Sequence, residues 1–128
     1  MISVNRNFIF GIPDIYSLSF DFDNVFNKQA ESTVKILLSH NPDVIDFVED
    51  HDNIDLILSG HNHSGQIYFK FIGPILPMPT KRRWLTRGIY QIGKRTKLLL
   101  SQGSGYSGSR LRIGTDNEIC DVTLIPSD

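Results

Sequence analysis

The stretch VKILLSHNPDVIDFVEDHDNIDLILS, residues 34 to 59, decides the fold. Its opening run, VKILLSH, is aliphatic without clean alternation, the pattern of a strand buried on both faces as in a parallel sheet. NPDVIDFVED follows. Asn41 suits a helix N-cap, Pro42 the first helical position and Asp43 the positive end of the helix dipole, with Val44, Ile45 and Val48 on one apolar face. Ile54 to Leu58 then makes a second aliphatic strand. Strand, helix and strand in so short a span predict a right-handed crossover with parallel strands. Both strands then finish at one edge of the sheet, about 4.8 Å apart. The crevice beyond the carboxyl ends of such strands is where ligands bind in open α/β sheets.

Working outward, the second strand runs into SGHNHSGQ, residues 59 to 66. His40 ends the first strand, and His61 and His63 follow the second, so three imidazoles are expected at one rim. Gly60 and Gly65 allow tight turns that aim the pair. Neutral imidazoles suit a divalent cation such as zinc, manganese, iron or cobalt. A His-x-His in a Gly/Ser loop also fits a capped turn that binds nothing. His51, in EDHD, reads as a surface histidine near a negative helix terminus.

The 128 residues suffice for one globular core or part of one, given domains of about 100 to 200 residues. Cys120 is the single cysteine, which excludes an internal disulfide and fits a reducing compartment. No apolar run reaches the roughly 20 residues of a bilayer span, and the N-terminus lacks the order of a signal peptide. The expected location is cytoplasmic, peripheral at the membrane. Earlier in the chain, Phe8 to Ile12 reads as a strand stopped by Pro13, and residues 26 to 33 as a short exposed helix or loop. Further strands are expected around 66 to 71, 98 to 101 and 119 to 125. The fold class is α/β, with a parallel βαβ crossover at 34–59 followed by mostly β structure.

SHNPD at 39 to 43, followed by SGHNHSGQI at 59 to 67, resembles the last two metal motifs of the calcineurin-like metallophosphoesterases, a lone histidine after a strand and then a Gly-His-x-His loop. The tail LLLSQGSGYSGSRLRIGTDNEICDVTLI, residues 98 to 125, is similar to the closing segment of the bacterial branch, which includes membrane-associated phosphodiesterases and UDP-2,3-diacylglucosamine pyrophosphatases. The resemblance implies a four-layer α/β/β/α sandwich, of which residues 1–128 are the C-terminal portion. It implies two divalent metal ions (Mn, Zn, Fe or Mg), with His40 and His61 on one and His63 on the other. It implies hydrolysis of a phosphodiester or pyrophosphate bond by a hydroxide activated between the metals. The family's Asp-x-His, Gly-Asp and Gly-Asn-His motifs do not occur in this sequence, so the bridging carboxylate and the catalytic histidine are expected from an N-terminal half, and this chain carries no catalytic residue of its own. Weak activity is expected of the chain alone. The alternative is a non-catalytic truncated module that binds one metal or an acidic surface.

Residues 56 to 115 hold ten bases and no acid, whereas residues 1 to 55 hold ten acids and three bases. The segment at 70–97, with KFIGPILPMPTKRRWLTRGIY as its first part, is a basic, Pro- and aromatic-rich insert. It fits an anionic phosphoester or an acidic membrane surface, with Trp84, Ile75 and Leu76 entering the interface. It equally fits a solvated loop that balances the acidic first half. Nucleic acid is not expected, since one KRR cluster comes without a binding module. Asn62, Arg110 and Arg112 are candidate substrate contacts, the two arginines also fitting strand-edge solvation. GSGYSG at 103 to 108 lacks the Lys-Ser/Thr and helix of a phosphate-binding P-loop and reads as a turn. The expected substrate is a small phosphoester or a lipid-linked pyrophosphate.

Overall fold

The computed structural model describes residues 7–17, 21, 34–48 and 53–125. Five strands form one mixed sheet in the order β1-β2-β3-β7-β6, where β1 is Asn7–Gly11, β2 Val34–Leu38, β3 Leu56–Ser59, β6 Gly88–Ile92 and β7 Thr96–Leu100. β1, β2, β3 and β7 run parallel, and β6 pairs antiparallel with β7. A small antiparallel hairpin, β4 at Tyr68–Phe69 and β5 at Gly73–Pro74, stands apart from the sheet. The architecture is α/β in class, with parallel strands at its centre and little helix.

The crossover joins neighbouring parallel strands as expected, with Ile36 opposite Leu56 and Leu38 opposite Leu58. Its helix is shorter than the sequence predicts. Asn41 does cap it, its side chain accepting from the Asp43 N–H at 2.8 Å, but the element is a 3-10 helix over Pro42–Asp46 that closes at Phe47. Acids at 46, 49, 50 and 52 crowd what would be the negative end of a longer helix, which disfavours its extension. Val44, Ile45 and Val48 still pack against the core. His51 and residues 26 to 33 lie outside the described residues.

The remaining strand expectations shift. The run Phe8 to Ile12 is β1, ending at Gly11. The strand expected at 66 to 71 shrinks to Tyr68–Phe69, because the chain turns at Gly65 and again through 70 to 72, and Ile67 forms only an isolated parallel bridge with Ile113. The strand expected at 98 to 101 starts earlier, at Thr96. Residues 119 to 125 form no strand and are exposed, with Cys120 and Val122 lining a shallow pocket together with Leu58 and Leu99. β6 falls inside the basic stretch 70–97, where its Gly88 and Gln91 hid the strand pattern.

The core lies on one face of the sheet, where Leu37, Ile57, Leu98 and Leu100 meet Ile15, Val44, Ile54 and Leu85. Asp43 ties this layer together: its carboxylate accepts from the Lys81 N–H at 2.9 and 3.1 Å and from the Tyr16 hydroxyl at 3.1 Å. Alternation puts Ile9, Ile36, Leu56, Leu58, Ile89 and Leu99 on the opposite face, in register across the strands. That face is apolar too, and the tail covers only part of it. Among the described residues, no helix is long and apolar enough to cross a membrane.

The two faces make a testable contrast. Leu37→Ala, at a fully buried position, is expected to lower unfolding free energy in urea by about 2 to 5 kcal/mol. Ile9→Ala, at a 61% exposed position on the other face, is expected to cost less than about 0.5 kcal/mol. Equal losses would mean that the core has been placed on the wrong side.

Candidate metal centre

Parallel pairing continues past the ends of β2 and β3. The Ser39 N–H donates to the Leu58 carbonyl at 3.0 Å, and the Gly60 N–H and the Ser59 hydroxyl both donate to the His40 carbonyl, at 3.2 and 3.1 Å. These bonds hold the two strand ends side by side and bring their imidazoles together. Nδ1 of His61 lies 2.8 Å from Nε2 of His40, with ring centroids 4.6 Å apart in an edge arrangement. At that separation one ring N–H donates to the other ring's lone pair.

The loop after β3 is held in an unusual backbone. His61, His63, Ser64 and Gln66 all have positive φ, between 48° and 74°, which side chains with a Cβ rarely adopt. Buried side chains hold it there. Asn62 accepts the Ser64 N–H at 3.1 Å through Oδ1 and donates through Nδ2 to the Leu85 carbonyl. Ser64 donates to the Thr86 carbonyl at 3.0 Å and lies 3.2 Å from Gln102 Oε1. Gln66 donates to the Ser109 and Leu111 carbonyls at 3.0 and 3.3 Å and accepts the Ser107 N–H. Gly65 also has positive φ, and a Cβ there would come 2.6 Å from Pro74, so only glycine lets the hairpin pack on the loop.

His63 points to a second neighbour. Arg112 Nη2 sits 3.3 Å from its Nδ1, which therefore accepts, while the same guanidinium donates to the carbonyls of Gln102, Gly105 and Asp116 at 2.6 to 3.2 Å. Arg112 thus fastens the Gly-rich turn beside His63. Arg110 is exposed and has no ion pair or hydrogen bond among the described residues. Asn62 lines the cleft, but both ends of its amide are engaged within the loop.

The histidines open into a cleft of about 360 Å³, walled by Leu76, Pro77, Pro79 and Tyr106. Burial pushes the His61 pKa down, and the neighbouring His40 adds to this, outweighing Asp14 and Asp43. Burial and then Arg112 push His63 down likewise. Both shifts favour the neutral imidazole, the form that can donate a lone pair to a cation, although the Nδ1 lone pair of His63 is taken up by Arg112 in this structure. The close approach of His40 and His61 would suit two nitrogen ligands on one cation. Among the described residues, no group of three or more His, Cys, Asp or Glu side chains could hold a metal ion by itself. His40 and His61 would therefore need further ligands to hold a cation.

Pro77, Pro79, Tyr106 and Gln66 are parts of this site that sequence reasoning did not assign a role. GHNHSGQ contains Gln66, but only its buried bonds to residues 107 to 111 reveal what it does. The prolines and Tyr106 carry no signal beyond turn composition.

With the geometry in hand, similarity to known proteins gives it a class. The chain is 33% identical over 108 residues to a protein of Helicobacter pylori (strain 26695) named as a metallophosphoesterase, covering 84% of this chain and 28% of that one. It is 35% identical over 104 residues to the metallophosphoesterase YkuE of Bacillus subtilis, covering 81% of this chain and 35% of the relative. It is 31% identical over 118 residues to the UDP-2,3-diacylglucosamine pyrophosphatase LpxG of Chlamydia muridarum, covering 88% and 35%. No family model matches, and no solved structure does. By sequence the chain belongs with the metallophosphoesterases. It spans well under half the length of these relatives.

The tail is clamped to the site by Glu118, which accepts from the Gln102 N–H at 2.9 Å and the Ser101 hydroxyl at 3.0 Å. Burial alone would raise its pKa, but the bonds from Gln102, Ser101 and Cys120, aided by Arg87, hold the carboxyl below its ordinary value. A depressed folded-state pKa contributes stability that is present above the unfolded-state value and lost as pH falls through the folded one. Glu118→Gln is therefore expected to lower stability at neutral pH and to flatten its decline in acid, read from urea midpoints between about pH 3 and pH 7. An unchanged acid limb would show that Glu118 does not carry this linkage.

Proposed function

We propose that this chain is the C-terminal portion of a single metallophosphoesterase domain and supplies part of a two-metal centre that hydrolyses a phosphodiester or pyrophosphate bond. The observation that carries this is the 2.8 Å approach of His61 Nδ1 to His40 Nε2 at the carboxyl edge of parallel strands. In this reading, His40 and His61 hold one divalent cation and His63 faces the other. A Gly-Asp carboxylate and a Gly-Asn-His imidazole from the rest of the domain complete the centre. Bound there, divalent cations would lower the pKa of water and offset charge on the phosphoryl oxygens.

The chain's own residues then have distinct roles. Arg112 keeps the 102–106 turn close to His63 and sets the orientation of that ring. Exposed Arg110 meets the anionic substrate. Leu76, Pro77, Pro79 and Tyr106 form an apolar wall suited to the organic part of a phosphoester, which favours a lipid-linked pyrophosphate over a fully polar substrate. The name of the LpxG relative, a UDP-2,3-diacylglucosamine pyrophosphatase, supports pyrophosphate chemistry. The second apolar face of the sheet supports a four-layer α/β/β/α arrangement, in which another sheet packs on Ile9, Ile36, Leu56, Leu58 and Leu99. A second reading, a module that binds a single cation and performs no chemistry, is favoured by the lack of any three-residue ligand group among the described residues.

Calorimetric titration of the purified chain with zinc or manganese is expected to show weak binding of one equivalent, lost in both His40→Ala and His61→Ala. Binding that persists in both variants, or none in the parent, would overturn the His40–His61 centre. The chain alone is expected to turn over bis-p-nitrophenyl phosphate poorly with manganese. Robust turnover that vanishes in His61→Ala would show instead that the remaining ligands are dispensable.

A further inference from the structure

We propose that the β4–β5 hairpin is a membrane-docking element that inserts its tip, Phe71 and Ile72, into the headgroup boundary of an anionic lipid bilayer beside the histidine cleft. This goes beyond the hydrolytic reading and does not depend on a metal. Phe71 is 94% exposed and Ile72 is 74% exposed, and Phe69, Ile75 and Leu76 extend the apolar surface toward the base of the hairpin. Single exposed apolar residues are ordinary on protein surfaces. A cluster of five in eight positions at a projecting turn is not.

The projection is built rather than incidental. The Ile72 N–H donates to the Phe69 carbonyl at 3.0 Å and closes the tip. At the base, the Tyr68 N–H donates to the Ile113 carbonyl at 2.8 Å and the Ile75 N–H to the Ile67 carbonyl at 2.9 Å. The Arg87 guanidinium lies 5.5 Å from the centre of the Tyr68 ring. Pro74 packs on Gly65, so the hairpin is fixed to the histidine loop itself. Leu76 and Pro77 continue from the hairpin into the wall of the cleft. An apolar surface can therefore pass from a bilayer to the site without a polar gap.

Charge selects the partner. Residues 56 to 115 contain ten bases and no acid. Lys81 and Arg82 share the single carboxylate of Asp46, and Arg95 pairs with Asp55. Lys70 and Arg83 have no carboxylate partner among the described residues. Lys70 sits at the tip with its ammonium 6.0 Å from the Phe71 ring centre, placed so that its stem can lie along the apolar tip while its charge stays at the headgroups. Apolar insertion plus unpaired cations is the combination that binds anionic lipid, whereas a strand of nucleic acid needs several aromatic faces along a basic groove rather than one phenyl ring at a projecting tip.

The test is flotation of the full chain with phosphatidylcholine vesicles, with and without about one third phosphatidylglycerol. Binding is expected only to the anionic vesicles. Phe71→Ser combined with Ile72→Ser is expected to weaken it at least about tenfold, with unchanged urea stability because both positions are exposed. Lys70→Glu is expected to weaken it also and to reduce its salt dependence. In a Trp84→Phe background, the indole introduced by Phe71→Trp is expected to shift its emission to the blue on anionic vesicles. His61→Ala is expected to bind vesicles like the parent, so failure of the metal centre and failure of docking are separately visible. Vesicle binding that survives loss of both tip residues, or an indole emission at the tip that vesicles leave unchanged, would overturn the proposal, as would capture of an oligonucleotide in preference to anionic vesicles.

Discussion

Two strand ends locked in parallel register underlie everything else in this molecule. The His40 carbonyl receives both the Gly60 N–H and the Ser59 hydroxyl, so the point where β2 stops is bonded to the point where β3 stops. Side chains leaving the sheet at those points have little choice but to meet. The approach of His40 and His61 follows from backbone pairing, not from attraction between two imidazoles. Burial favours the neutral form of the His61 ring, the form with a lone pair to offer.

How much of this was readable in the sequence depended on the range of the forces involved. The parallel pair β2 and β3 was legible because fully buried strands show as unbroken aliphatic runs, and Asn41–Pro42 marked the start of the intervening turn by local chemistry alone. The length of that turn was not legible, since capping signals say where a helix begins and carry little about where tertiary packing ends it. β6 was hidden because Gly88, Gln91 and the surrounding basic residues break its pattern; its pairing with β7, not its own composition, makes it a strand. The tail misled for the converse reason. ICDVTLI alternates as a strand should, yet its backbone finds no ladder partner among the described residues.

The site divides along the same line. His40, His61 and His63 stood out by residue type and spacing, and the loop's glycines pointed to tight turns. What positions them was invisible: Gln66 reaches residues more than 40 positions away, and Arg112 reaches His63 across 49. Such contacts depend on how the Gly-rich turn folds back, which no local pattern encodes. Arg112 has a consequence for the electrostatics as well. Its guanidinium spends its donors on three carbonyls and one imidazole, so it serves as structural mortar at the rim while Arg110 remains open to solvent.

The histidine loop keeps four non-glycine residues in left-handed backbone, each costing on the order of 1 kcal/mol or more. Such a loop is a loaded spring whose latch is the buried trio Asn62, Ser64 and Gln66. None of the three needs to touch a reacting atom for its loss to release the spring and scatter the imidazoles. Inherited change beneath the loop is therefore as dangerous to chemistry as change at the histidines, whereas the outer wall of the cleft, held by no such tension, is free to drift and to retune which molecules enter.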